Sequence, residues 1–478
     1  MRTRIPTLLL LCFVAITGRT QTGFRAGTAA IDISPIVFPF QLRSGPSKYV
    51  HDPLHVRAVA FENGKGRAVI ALIDAIGYGR ERSDAAKATV AEMTGWKPEE
   101  MLICATHTHT APKGGDTSPG RIAYEELRFQ GIVQALLKAI ESLEPAQVGF
   151  ASDEESSEVR NRRWHLKPGT MDPNPLGGRD KVRTNGPRDK LLKPAGPIDP
   201  EICVIDVRTR RRRKPLGLIA NWALHYVGGV PKVTEADGKI VGMASADYFG
   251  EFARVMPFRI GGSNPPENFV ALMSNGASGD INNLPFKINR APRAPFEQIQ
   301  IVAAKAADAA WRAVKKIERY DDNPIVATRQ REVTLKYRVP TPVDVETARR
   351  LMGLKSKERN ALNKRTSSVA GKTIIYSDPD SPKSEGVLVQ ALRIGDQAIV
   401  TMPFEVLVEI GLEIKEKSPF PKTFLIELAN GGYGYLPPPN QHKLGGYETW
   451  LGTSRFAPES SDVLIANLLE MLAELKAL

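Results

Sequence analysis

The stretch best suited to chemistry is Thr106-His107-Thr108-His109. It follows Met101-Leu-Ile-Cys-Ala105, a short apolar run that reads as a buried strand. Side chains alternate faces along a strand, so His107 and His109, two apart, point the same way. Two imidazoles side by side at a strand end make a metal-binding pair. The plainer alternative is two polar residues on the lip of a sheet. The chain has only seven histidines, so two within three positions need a reason.

Other polar residues fall where apolar runs stop, in turns rich in glycine or proline: Asp74, His225, Asp280, and Tyr433 with Tyr435. Strand-end clustering is the usual layout of a site in α/β folds. His225 could add a third nitrogen ligand. Glu405, read as the first turn of a helix opened by Pro403-Phe404, could add an oxygen. Three protein ligands with an open position form the pattern of catalytic zinc. Each residue alone also has a plainer role. His225 could be a hydrogen-bonded core histidine, Glu405 an acid favoured by the helix dipole, and the tyrosines packing residues. Spacing alone does not assemble them.

The elements that must position these residues alternate strands and helices. Extended segments are predicted at 24–35, 56–62, 68–73, 101–105, 202–207, 216–222, 269–273, 324–338 and 424–428, with two strands across 387–401 about the Gly395-Asp396 turn. Helices are predicted over 83–94, 123–142, 247–255, 296–318, 405–417 and 461–475. The βαβα order at the start predicts the fold class α/β, with mixed sheets flanked by helices in a single large catalytic domain over 24–478. Residues 152–200 are rich in Arg, Gly, Pro and Asn and read as a long loop, functional or disordered. Residues 349–386 read as a polar surface insertion, with a charged helix to 365 and a loop after it.

With 42% apolar and 25% charged residues, the chain has ample material for a large core. Residues 1–20 read as a signal peptide: Arg2 and Arg4, then the apolar Thr7–Ile16, too short to span a bilayer. This predicts a secreted or periplasmic protein with no transmembrane segment. Of the three cysteines, Cys12 lies in that leader. Cys104 and Cys203 sit in apolar runs, either as buried thiols or as one disulfide. The net charge of +12 is concentrated in part at Arg208–Lys214, between two strand-like runs. That run reads as a solvated hairpin tip, with an anionic surface as the sharper alternative. No nucleic-acid motif is present.

The segments Ala26–Pro35, Ala105–Pro112, Asn221-Trp-Ala-Leu-His225, Ser245-Ala-Asp247, Asn275–Asn282, Pro403-Phe-Glu405 and Gly434-Tyr435 with Tyr447-Glu448 occur in one order. Together this set resembles the neutral/alkaline, non-lysosomal ceramidase family, in its N-terminal catalytic domain. The resemblance implies one Zn2+ held by His107, His225, Glu405 and Tyr435. It places His109 beside the metal as an acid/base or oxyanion partner, and Tyr447 where it would polarise the substrate carbonyl. Arg162, in Asn161-Arg162, is the match to a substrate-contacting arginine. The implied reaction is cleavage of an N-acyl amide bond, ceramide-like, by a zinc-activated water.

Two departures bear on the substrate. Asn282 stands where the family's Gly-Asp-x-Ser turn has serine. Asparagine is no nucleophile, although its amide can bind substrate. Family members also carry an immunoglobulin-like C-terminal domain, and none is expected here. A zinc enzyme acting on another substrate, a glycan or small amide, and a non-catalytic binding protein are therefore the alternatives.

Overall fold

The structure, a computed structural model, describes residues 23–115 and 117–478. The leader and Cys12 lie outside the described residues.

Eight strands form the large sheet: β1 (Arg25–Asp32), β2 (His55–Asn63), β3 (Gly66–Ile73), β4 (Met101–Ala105), β5 (Glu144–Glu154), β6 (Glu201–Thr209), β7 (Pro215–Trp222) and β8 (Val270–Asn275). Their spatial order is β8-β7-β6-β5-β1-β2-β3-β4. The outer pairs β3/β4 and β7/β8 are parallel and the pairs between them antiparallel. The smaller sheet runs β9 (Val326–Lys336), β10 (Ser384–Ile394), β11 (Gln397–Thr401) and β12 (Lys422–Ile426), with β11/β12 parallel.

Both sheets are covered on both faces, which explains strands that read as continuous apolar runs rather than alternating ones. Phe61, Ile70 and Leu272 of the large sheet meet Leu392, Ile399 and Phe424 of the small one in a shared core. The outer face of the large sheet is covered by α1 (Arg80–Thr94), α2 (Pro119–Glu141), α3 (Asp247–Gly261) and α4 (Glu297–Lys315). Beyond the small sheet lie α8 (Val408–Lys417) and α9 (Ser460–Lys476), burying Ile410, Ile414, Leu464 and Leu468. The result is the expected α/β architecture, in four layers: helices, sheet, sheet, helices. No described helix is long and apolar enough to cross a membrane.

Several segments differ from the sequence reading. Residues 152–200 are not one structureless loop. Arg163–Leu166 pairs with Arg183–Thr184 and Leu191–Pro194 in a small antiparallel sheet, and Arg160–Asn161 pairs with Ile281–Asn282. The 349–386 stretch holds the end of α5 (Pro342–Met352), then α6 (Ser356–Leu362) and α7 (Thr366–Ser377). The α7 segment carries weak helix formers, Ser367, Ser368 and Gly371, and is held by burial of Val369, Ala370 and Thr373. Glu405 lies in a two-residue strand, not a helix, and α8 starts three residues later. The reason is a distant cap: Asp280 Oδ1 accepts the Val408 amide at 2.9 Å.

Cys104 and Cys203 are both free and buried, with burial pushing each thiol up to about 12. Arg208–Lys214 forms the exposed β6–β7 turn, where Arg208 pairs with Asp206 and Arg210 with Asp322.

Candidate metal centre

The histidines are presented by the C-terminal ends of parallel strands. Strand β4 stops at Ala105, so His107 and His109 do not sit on a regular ladder as the sequence suggested. Instead His107 adopts φ +71°, a left-handed conformation that a side chain makes costly. Its backbone is pinned by His107 N–H to Ala75 O at 2.9 Å. The flanking threonines are anchors, since Thr108 and Thr110 hydroxyls both donate to Ser245 O, at 2.8 and 3.0 Å. The alternation thus separates two roles, threonines tying the loop to the N-terminal side of α3 and histidines facing the site.

Three imidazole nitrogens converge. His107 Nε2 lies 3.1 Å from His225 Nε2 and 3.1 Å from His109 Nε2. His107 and His225 are buried, and the three-histidine group can hold a metal ion. The outward nitrogens fix the chemistry of the inward ones. His107 Nδ1 sits 2.6 Å from Ile76 O and His225 Nδ1 3.1 Å from Ser278 O. A carbonyl only accepts, so in the neutral rings each Nδ1 carries the proton and each Nε2 turns a lone pair inward. Two lone pairs facing each other at this distance repel unless a cation lies between them.

His109 differs. Its Nδ1 faces Arg43 Nη1 at 3.4 Å, and a guanidinium only donates. Neutral His109 therefore holds its proton on Nε2, toward the other two rings. Burial, then the charges of His107, Arg43 and Arg162, depress its basicity to about 2. Tyr226 stacks on its ring at 3.8 Å between centroids.

Glu405 closes the cluster. Its Oε2 lies 3.3 Å from His107 Nε2 and 3.7 Å from His225 Nε2. That oxygen is buried and has no hydrogen-bond donor. The carboxyl stays below its ordinary range; burial opposes ionisation, but His107, Tyr435 and Arg162 outweigh it. Conversely, burial opposes charge on His107 and the Glu405 carboxylate overcomes it, raising its affinity for a proton. The same field favours a metal cation. The donor set, the Nε2 lone pairs of neutral His107 and His225 with an orphaned carboxylate oxygen, fits a divalent ion.

Two strand-like contacts build the floor. Glu405 pairs in register with Tyr435, and Gly279 N–H donates to Val406 O at 2.7 Å. A Cβ on Gly279 would lie 2.7 Å from Glu405 O, so only glycine permits this approach. Tyr435 is buried, and burial followed by Glu405 holds its phenol well above the usual range.

Behind this floor lies a second cluster. Arg162 Nε donates to Glu448 Oε1 at 3.0 Å and its Nη2 to the Tyr435 hydroxyl at 3.0 Å. Arg163 Nη1 and the Thr184 hydroxyl each donate to Glu448 Oε2 at 2.6 Å. Glu427 is another buried carboxylate, pushed up to about 8 by burial. It accepts from the Ser278 hydroxyl at 2.6 Å and the Val406 amide at 2.8 Å, fixing the turn whose carbonyl orients His225.

The structure thus gathers His107, His109, His225, Glu405, Tyr435 and Arg162. Tyr447 lies beside Tyr435, rings 5.5 Å apart, and lines the same cavity as Asn282. Asn282 Oδ1 accepts from Leu284 N–H at 2.9 Å, which leaves its NH2 as the end for other partners. Three of the strand-end residues serve the scaffold. Asp74 accepts from Arg57 and the His55 amide. Asp280 joins Asn161 to Val408. Tyr433 packs on Phe404 and Phe456. Arg43, Tyr226 and Glu427 were not singled out from sequence, and Glu448 was quoted there only as part of Tyr447-Glu448, with no role.

No family model matches the chain, and no curated protein matches it in sequence. Solved structures do match. Neutral ceramidase from Pseudomonas aeruginosa superposes with a TM-score of 0.69 at 16% identity, over 95% of this chain and 75% of that one. A ceramidase complexed with C2 gives 0.69 at 15% identity, over 95% and 76%. The chain therefore has a ceramidase-like fold.

Proposed function

We propose that this chain is a secreted zinc-dependent hydrolase that cleaves an N-acyl amide bond. The observation that carries the reading is the Glu405 oxygen, buried without a donor and facing two imidazole lone pairs. His107, His225 and Glu405 would hold the ion, with Tyr435 as the fourth ligand. Zinc there would supply Lewis-acid polarisation and bring the pKa of water towards about 7.

The other residues act directly on the substrate. His109, kept neutral, holds a hydrogen at Nε2 that it can donate as a hydrogen bond to the leaving amine or the developing oxyanion. The Tyr447 hydroxyl orients and polarises the scissile carbonyl. Arg162, clamped by Glu448, fixes the Tyr435 phenol and adds positive charge beside developing oxyanion charge. Asn282 offers its NH2 to the substrate in place of a serine hydroxyl.

A second reading concerns the substrate. The cavity at the cluster, about 1060 Å³, is lined by Arg43, Asp172, Asn185 and Arg365 as well as Met171 and Leu362. A long-chain lipid calls for a more continuous apolar wall, so a non-ceramide amide on the same scaffold is favoured. Hydrolysis of a fluorescent short-chain ceramide and of short N-acyl amides, with and without chelator, tests both readings. Chelator-sensitive amine release is expected, with the short amides preferred. Release indifferent to chelator, with metal absent from the protein, would overturn the proposal.

A further inference from the structure

The cavity in front of the metal centre carries unbalanced positive charge. Five cationic side chains line it: Arg43, Arg162, Arg183, Lys364 and Arg365, against the carboxylates of Asp172 and Asp180. Part of this is settled internally. Arg162 is held by Glu448 and Arg183 pairs with Asp172. Asp180 accepts from Trp450 Nε1 at 2.8 Å and Asn174 Nδ2 at 3.1 Å. Arg43, Lys364 and Arg365 remain, exposed and without an ion pair among the described residues.

These three are not scattered surface charges. Arg43 Nη1 touches His109, and the Arg365 guanidinium sits 5.4 Å over the Tyr447 ring. Arg43 and Arg365 are therefore each one residue away from the reacting centre, and Lys364 lines the same cavity. Lys364 and Arg365 stand at the start of α7, whose dipole adds positive potential at the same mouth. A concave site lined by one sign of charge concentrates ligands of the other sign. Guanidinium groups suit carboxylate, sulfonate, sulfate and phosphate oxygens in particular.

We propose that the amide substrate carries an anionic group, held by Arg365, Lys364 and Arg43 while the amide lies at His107 and His225. This rests on the amide-hydrolase reading and deepens it: the preferred substrate is an acidic N-acyl amide, not a neutral one.

The test uses purified full-length protein. Hydrolysis is compared for N-octanoylglycine, anionic on the amine side, N-hexylsuccinamic acid, anionic on the acyl side, and neutral N-octanoylethanolamine. At least one anionic amide is expected to exceed the neutral one tenfold in kcat/KM. That ratio should fall at least tenfold in the Lys364→Met/Arg365→Met double variant. N-acetylglycine is run alongside. If it equals N-octanoylglycine, the anion comes from a small polar metabolite; if it is far poorer, from an amphiphile.

Octanesulfonate, which has no amide to cleave, is titrated calorimetrically in parallel. It should bind wild type at least tenfold more tightly than the double variant. Charge-dependent binding with no hydrolysis of any amide would sink the hydrolase reading and leave the anion site standing. A neutral amide preferred over both anionic ones, or equal octanesulfonate binding in the two proteins, would overturn the anion site.

Discussion

Two carboxylates with buried oxygens lie within one site and differ in one respect. Glu448 receives Arg162, Arg163 and Thr184, so both of its oxygens are satisfied by the protein. Glu405 has an oxygen equally hidden from water, yet no donor reaches it. The first is a finished ion-pair network that positions other groups. The second has room for a cation beside the imidazole nitrogens. Buried charge alone therefore does not mark the centre, nor does an orphaned oxygen, since Asp74 Oδ1 and Asp206 Oδ1 lack a partner too; an orphaned oxygen beside converging imidazole nitrogens does.

This contrast predicts opposite phenotypes. The largest effect belongs to Glu405. Glu405→Ala and His107→Ala should lower amide hydrolysis by roughly 10⁴-fold, since the metal's contribution is several kcal/mol and each tenfold is about 1.4 kcal/mol. Both variants should stay folded by circular dichroism. Glu448→Ala should do the reverse to stability. Two buried guanidiniums left without a counter-charge cost about 3–5 kcal/mol, read in urea unfolding, while a folded sample keeps its metal. If Glu405→Ala proves the more destabilising in metal-free protein, the distinction between the two clusters fails.

Within the first cluster the histidines should also divide. His109→Asn should retain metal and lose about 10²-fold in kcat, the lower range for a positioned proton donor. His225→Asn should lose both. Equal metal loss in the two variants would make His109 a ligand rather than an acid.

The smallest effect is in the acid limb of stability. Burial raises the Glu448 pKa, but Arg163 and Arg162 lower it further, so the folded value lies below the ordinary 4.5. Such a group contributes stability above about pH 4.5 that is lost as pH falls through the folded pKa. In Glu448→Gln, unfolding free energy should vary less with pH below that point than in wild type. An unchanged acid limb would show that Glu448 is not clamped as described.

What the sequence made legible was residue type and local order. The Thr-His-Thr-His stretch, the histidine after Asn221-Trp222 and the acid after Pro403-Phe404 were recognisable in isolation, and a family resemblance joined them. The strand pattern also predicted most of both sheets, because strands covered on two faces must be apolar throughout. What was hidden depends on distant partners. The helix α8 begins where Asp280 caps it, 128 positions away, so Glu405 was misplaced into that helix. Glu448 and Arg163 lie 285 positions apart, and nothing near either one signals the pairing. Helix α7 follows from packing rather than propensity, and with it the cationic wall at Lys364 and Arg365 stayed out of view. The positive φ at His107 is set by the loop around it, so a strand-face argument found the right residues by the wrong geometry.

The central claim is that the centre is unfinished without a cation. Its most direct test is metal content per chain, measured by plasma mass spectrometry on protein equilibrated with zinc and then desalted. Wild type should hold about one equivalent, and His107→Ala and Glu405→Ala well below that. Wild type with no bound metal, or variants that hold as much as wild type, would contradict it.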